Sequence, residues 1–439
     1  MSEQPQEGHA TVGCTEYEQI SRRHFLGHAA AGSTGLFTAT LYPEWLPKVV
    51  LAESYQSTRD VIISVFLRGG ADGLSLCVPF GDPAYYTGRP TIAIPRPDSS
   101  ATATRGIALD NFFALPRALQ ALIPAYLAKD LLVVHATGSV DPSRSHFDAM
   151  RYMEVGKPQD LSIMTGWLGR HLATSPPVRT TAPLRALGLS NGLPRTLVGG
   201  PRTLPIADPA TFALGGSTTT RTERNEWLRA EYESAAESVR AAALDVNNTV
   251  ELLRLINFDG YRTANGAVYP TTTFGRGMRS AAAMIKADIG VEAVQIDVGG
   301  WDTHANQNPI SGSMYNTMLA LGNALGAFYA DVIASGITQK VTVVVMSEFG
   351  RNARENGSAG TDHGRGNAMF VMGNNIAGGR VLMNRWPGLA RENLEAGQDL
   401  RVTLDHRDIL AEIVRNRLGN TNLSAIFPDY VPTMRGVTR

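Results

Sequence analysis

The chain is short of cysteine, of net charge and of long apolar runs, and each shortage removes a class of function. Only two cysteines, Cys14 and Cys77, occur in 439 residues, which argues against a disulfide framework and against a soft, thiolate-based metal centre. Forty basic residues balance 40 acidic ones. No global electrostatic pull toward nucleic acid or an anionic membrane follows, and any anion specificity has to be local. The sequence shows no internal repeat, no long low-complexity tract and no stretch suited to a stable membrane span. What it has in quantity is core-forming material: 43% of residues are hydrophobic, enough for one large α/β domain or two smaller ones.

The N-terminus is the first positive signal. Arg22 and Arg23 precede Phe25-Leu26 and a weakly apolar, Ala/Gly-rich stretch from Ala29 to Leu41. That is the layout of a twin-arginine export signal, in place of the amphipathic helix or plain tail the segment would otherwise be. Small residues in Val50-Leu51-Ala52 place cleavage after Ala52. Residues 1–52 are therefore expected to be a signal peptide handed to the twin-arginine translocase, with residues 53–439 folding as one domain and working in the periplasm, outside the cell or at its surface. Because that route carries folded proteins, often with a cofactor already loaded, it favours a metal centre.

After the signal, apolar runs alternate with helical patterns, as a helix-covered parallel sheet requires. "DVIISVFLRGGADG", "LLVVHATGSV", "VEAVQIDVGG" and "QKVTVVVMSEFG" read as buried strands, and "NAMFVMG" and "GRVLM" as shorter later ones. "LPRALQALIPAYLAKD", "MRSAAAMIKADIG", "MYNTMLALGNALGAFYADVIASG" and "DHRDILAEIVRNRL" have helical spacing. A charged helical stretch at about 218–258 has no strand of its own and reads as an insertion or lid.

Ligands of open α/β sheets bind outside the carboxyl ends of the strands. The first strand ends near Asp72, the second leads to Ser143, Arg144, Ser145 and His146, the third to Asp302 and His304, and the fourth to Glu348 and Arg351, followed by Asp362 and His363. Such oxygen and nitrogen donors suit a divalent ion such as Zn²⁺ or Mn²⁺, which polarises a phosphoryl or sulfuryl oxygen. Each residue also has a plainer role open to it. Asp72 fits a helix cap, Ser143 or Ser145 a helix start over a packed His146, Asp302 an orienting partner for His304, and Glu348 with Arg351 an ion pair at the sheet rim. His135, apolar on both sides, reads as core.

"FLRGGADGLSLCVPFGDPAYYTGRP", "SRSHFDAMRYME", "GGWDTHANQ" and "SEFGRNARENGSAGTDHGRGNAMFVMG" together resemble the bacterial, twin-arginine-exported family of unknown function numbered 1501, over nearly the whole mature chain. That family is grouped with the alkaline phosphatase and sulfatase superfamily. The resemblance implies a three-layer α/β/α fold with a mostly parallel central sheet and a metal site at the strand ends, but no substrate. Mapped residue by residue, Asp72 stands at the first-strand metal aspartate and Ser143, or Ser145, at the nucleophile, with Arg144 and His146 beside it. Asp302 and His304 match a metal-binding pair, with Asp297 as a substitute carboxylate. Val140 occupies the position of a sulfatase-like nucleophile, which weakens a formylglycine-type reading. The strand "VTVVVM" ends in Glu348-Phe349-Gly350 where Asp-His-Gly is expected, so that His363 falls at the later metal histidine. The competing alignment takes Asp362-His363-Gly364, after Thr361, as that triplet.

Together these readings predict a good metal site at Asp302, His304 and His363, with Asp362 beside it, and a ligand-poor second one at Asp72 and Glu348, where Phe349 cannot bind. Arg144, Arg351 or Arg365 would fork a substrate anion, while Trp301 and the insertion around 227–232 would shape the pocket. The expected activity is metal-dependent hydrolysis of a small-molecule or polysaccharide phosphate or sulfate ester by Ser143 or a metal-bound water. The rival expectation is a non-catalytic exported binding or assembly protein with one structural metal.

Overall fold

The computed structural model of the protein describes residues 59–439. The twin-arginine segment, Cys14 and Ala52 lie outside the described residues. The strands among them are β1 (Val61–Leu67), β2 (Ile107–Ala108), β3 (Ala114–Leu115), β4 (Leu131–Gly138), β5 (Ala186–Gly188), β6 (Thr203–Pro205), β7 (Ala293–Val298), β8 (Val341–Ser347), β9 (Asn367–Gly373), β10 (Arg380–Leu382) and β11 (Leu404–Asp405). β2 and β3 form a small antiparallel pair. The rest make one nine-stranded sheet in the order β10-β4-β9-β8-β1-β7-β5-β6, with β11 also on β4.

The central strands are runs of Val, Ile and Met or Phe with almost every residue buried, the pattern of strands covered on both faces. In β1 the alternation divides the core. Ile63, Val65 and Leu67 pack with the helices Thr273–Lys286 and Ser313–Phe328, whereas Ile62 and Phe66 join Trp167, Leu168, Ile409 and Leu410 from the helices Trp167–Thr174 and His406–Asn416. The protein is thus α/β, with helices on both faces of a large sheet.

That sheet is mixed, which corrects the expectation of a mostly parallel one. β9 runs antiparallel to both β4 and β8. A parallel return needs a crossover, normally a helix, and residues 348–366 between β8 and β9 contain none. The connection instead stays at the carboxyl end of β8, so the chain re-enters the sheet backwards. The same loop becomes the largest part of the site described below.

A second departure lies in "LPRALQALIPAYLAKD". Residues Arg117–Leu122 form a 3₁₀ helix and Ile123–Leu127 a separate short α-helix with Pro124 in its first turn. Proline is tolerated there because the first-turn N–H groups have no partner anyway, whereas in a continuous helix it would remove a bond and clash. The 218–258 stretch holds a 3₁₀ turn, Thr218–Thr220, two α-helices, Arg221–Glu233 and Glu237–Arg254, and no strand. The first α-helix buries no residue; the second buries Val250, Leu252 and Leu253.

Candidate functional site

Four connections meet at the shared carboxyl edge of β1, β4, β7 and β8. They run from β1 through Gly69 and Gly70, from β4 to the helix His146–Val155, from β7 through Asp302 to Gln307, and from β8 through Glu348 to Gly366. Ser145 caps that helix by accepting from the Asp148 amide, which sets His146 at its first position. Gly69 and Gly70 have positive φ, +116° and +62°, and a Cβ on either would strike the Asp302 backbone or the Phe349 ring. Two side-chain-free positions let the β1 loop pass directly beneath the site.

Three imidazoles converge on Asp302. His304 Nε2 is 3.0 Å and His363 Nε2 3.3 Å from Asp302 Oδ1, and His146 Nε2 is 3.5 Å from Oδ2. His304 Nε2 and His363 Nε2 are themselves 3.0 Å apart. Each opposite ring nitrogen is held from behind. His146 Nδ1 faces Glu348 Oε1 at 2.7 Å, His304 Nδ1 faces Asp362 Oδ1 at 2.8 Å, and His363 Nδ1 faces the Arg144 carbonyl at 2.9 Å.

All three rear partners are acceptors, so each Nδ1 carries the hydrogen. In a neutral ring Nε2 is then a bare lone pair, and three of them look at one carboxylate. His146 Nε2 is buried and makes no hydrogen bond. Lone pairs at these separations repel unless a cation stands among them. Ligands at about 2.0–2.1 Å around a tetrahedral ion lie about 3.3 Å apart, close to the spacings here, and metal-binding histidines commonly donate their other N–H to a carboxylate or carbonyl. His146, Asp302 and His363, whose donor atoms all lie within 4.8 Å of one another, therefore fit a divalent ion, with His304 beside them.

The charges follow the same division. The bond to Glu348, opposed by burial, raises the affinity of His146 for a proton; burial, reinforced by the charges of His146 and Arg351, lowers that of His363. Burial would raise the Asp302 pKa, but the Arg351 hydrogen bond and charge, with His304 and His146, bring it below the usual carboxylate range. Asp302 and His304 remain reachable, with side chains 47% and 45% exposed.

The remaining residues expected at the site take supporting places. Glu348 has a fully buried side chain; it accepts from His146 and the Gly69 amide through Oε1 and from Ser347 through Oε2, and so orients an imidazole instead of joining the cluster. Asp362 does the same for His304. Arg351 is also fully buried and donates to the carbonyls of Gly69, Gly70, Trp301 and Thr361 and to Asp302 Oδ1, tying three loops together. Arg144 pairs with Asp399, and Arg365 with Glu395. Ser143 is half-buried and lines a small cavity with Ser139, Asp141, Glu348, Phe349 and Arg365. Asp297 pairs with Arg68.

Asp72 stands apart from the imidazoles. It caps the helix Gly73–Leu76 and takes the Arg89 guanidinium in a two-point ion pair. Phe349 is no vacancy among ligands: its ring packs 4.9 Å from both His146 and His363 and helps to set their planes.

Reasoning from sequence placed His146 beside a nucleophile, not among the donors, and did not single out Arg89, Gln307, Thr303 or Thr361. Gln307 is wholly buried. Its Nε2 donates to Asp72, and its Oε1 accepts from the hydroxyls of Thr303 and Thr361, the neighbours of Asp302, His304 and Asp362. Its nearness to "WDTH" was the one available signal.

None of the curated proteins compared with the chain matches it. A family model does match, over residues 59–420, a span that contains all four connections and every residue of the imidazole cluster. The chain belongs to the family described as a protein of unknown function, DUF1501.

Proposed function

We propose that this protein is an exported, metal-dependent hydrolase of phosphate or sulfate esters. The observation that carries the reading is the convergence of His146, His304 and His363 Nε2 on Asp302, with every Nδ1 already bonded to an acceptor. His146, His363 and Asp302, with His304 beside them, would hold a zinc or manganese ion, which when bound polarises an ester oxygen and offsets charge building on it. The chain's own residues do the rest. Glu348 and Asp362 fix the imidazoles in their donor tautomer, Arg351 balances Asp302, and Phe349 keeps two rings in place. Ser143, whose Oγ accepts from the Ser145 amide, is the proposed nucleophile.

The twin-arginine segment supports action in the periplasm or at the cell surface. Helices on both faces of the sheet support the three-layer arrangement of the alkaline phosphatase superfamily. The pairing of Arg144, Arg351 and Arg365 with protein acceptors favours the rival, a non-catalytic binding protein, because each guanidinium already has a carboxylate partner.

Turnover of p-nitrophenyl phosphate, bis-p-nitrophenyl phosphate and p-nitrophenyl sulfate, assayed with zinc or manganese, tests the proposal. At least one ester should be cleaved, with a loss of about 100-fold or more in His363→Ala and in Ser143→Ala. Turnover undiminished in both variants overturns the assignment, and none in the wild type leaves the binding protein.

A further inference from the structure

We infer that the chain is built for one divalent ion, the place of a second being taken by the buried guanidinium of Arg89. The inference rests on the proposed metal site but concerns a different part of the molecule. Asp72 is fully buried, and its carboxylate receives Arg89 Nη1 and Nη2, Ser75 Oγ, Gln307 Nε2 and the Leu74 amide. A carboxylate offers about four lone-pair sites. Five donors leave none for a cation.

Arg89 is equally committed. Beyond Asp72, its Nε donates to the Ala353 carbonyl at 2.9 Å and its Nη2 to the Asn352 carbonyl at 2.9 Å, so the guanidinium is fixed to the β8–β9 loop as well as to the helix after β1. A guanidinium remains charged in any ordinary medium. Arg89 therefore supplies Asp72 permanently with the positive charge that a second ion would bring, and leaves no free carboxylate for that ion. Glu348, the other carboxylate a second ion would use, is spent on His146, Gly69 and Ser347.

Gln307 connects this pair to the metal-binding loops. Through Thr303 and Thr361 it ties the two loops that bear Asp302, His304, Asp362 and His363, and the Thr361 amide also bonds the Thr303 carbonyl at 3.0 Å. The Arg89–Asp72–Gln307 chain thus positions the ligands instead of adding to them.

Native mass spectrometry of the full chain, loaded with excess zinc or manganese and then freed of weakly held ions, reads the stoichiometry directly. One ion per chain is expected, lost in His363→Ala and kept in Asp72→Asn. Two ions in the wild type, with one lost in Asp72→Asn, overturn the inference while leaving the proposed hydrolase standing. No ion overturns both. Should Asp72→Asn fail to fold, the wild-type count alone decides.

Discussion

Asp72 and Asp302 both follow a parallel strand at the same edge of the sheet, yet their surroundings are opposite. Around Asp72 every lone pair has a donor and no atom is exposed. Around Asp302 acceptors crowd together and almost half the side chain is open. A carboxylate whose bonds are all satisfied contributes architecture. One that faces bare lone pairs fits the cation proposed for it. The comparison shows why residue type at a strand end is a poor guide to role: saturation by neighbouring donors decides it.

The contrast breaks most severely at the saturated pole. Arg89→Ala leaves Asp72 charged, buried and unpaired, and should cost about 3–5 kcal/mol, enough to unfold much of the population. Urea denaturation gives the value, and a loss under 1 kcal/mol would show that the pair is not structural.

Acid probes the imidazoles that resemble neither pole. His135 is buried, with Nε2 donating to the Cys77 carbonyl and Nδ1 accepting from the Ala136 amide, and burial lowers its pKa to about 4; burial, with the charges of Arg59 and Arg185, lowers that of His171 to about 3. The unfolded chain binds protons at these positions below about 6.5 and the folded chain does not, so stability is full above that pH and falls as pH drops through the window to about 4. Each unit costs about 1.4 kcal/mol per group. The loss should shrink measurably in His135→Gln, by urea titration at pH 7 and pH 5.

The smallest effect is expected at the open pole. In metal-free protein, His363→Ala removes a ring from a partly exposed, lone-pair-crowded cluster and should alter stability by about 1 kcal/mol or less. The wild type should gain thermal stability on adding zinc, and the variant should not. Equal zinc stabilisation of both, in differential scanning fluorimetry, would place the ion elsewhere.

Much of this molecule was legible in one dimension. Strands of consecutive β-branched residues announce burial on both faces because a pleated strand covered by helices has no polar side. That Asp302, His304 and His363 would gather at one place was readable because strand ends with neighbouring glycines carry them. The direction of β9 was not, since a strand of seven apolar residues carries no mark of polarity; only the absence of a crossover helix in the preceding loop, and the room that loop needed, determined it.

The sequence by itself determined which segments are buried, which residue types gather at the strand ends, and the balance of charge that makes any anion site local. The tertiary structure alone decided that Arg89 neutralises Asp72, that His146 joins the imidazole cluster with Glu348 behind it, that Arg351 ties loops together, and that Gln307 bridges them. The reason is one of range. Strand and helix patterns arise from neighbours along the chain, whereas the saturation of a carboxylate depends on donors 17 and 235 residues away, brought together only when the sheet closes.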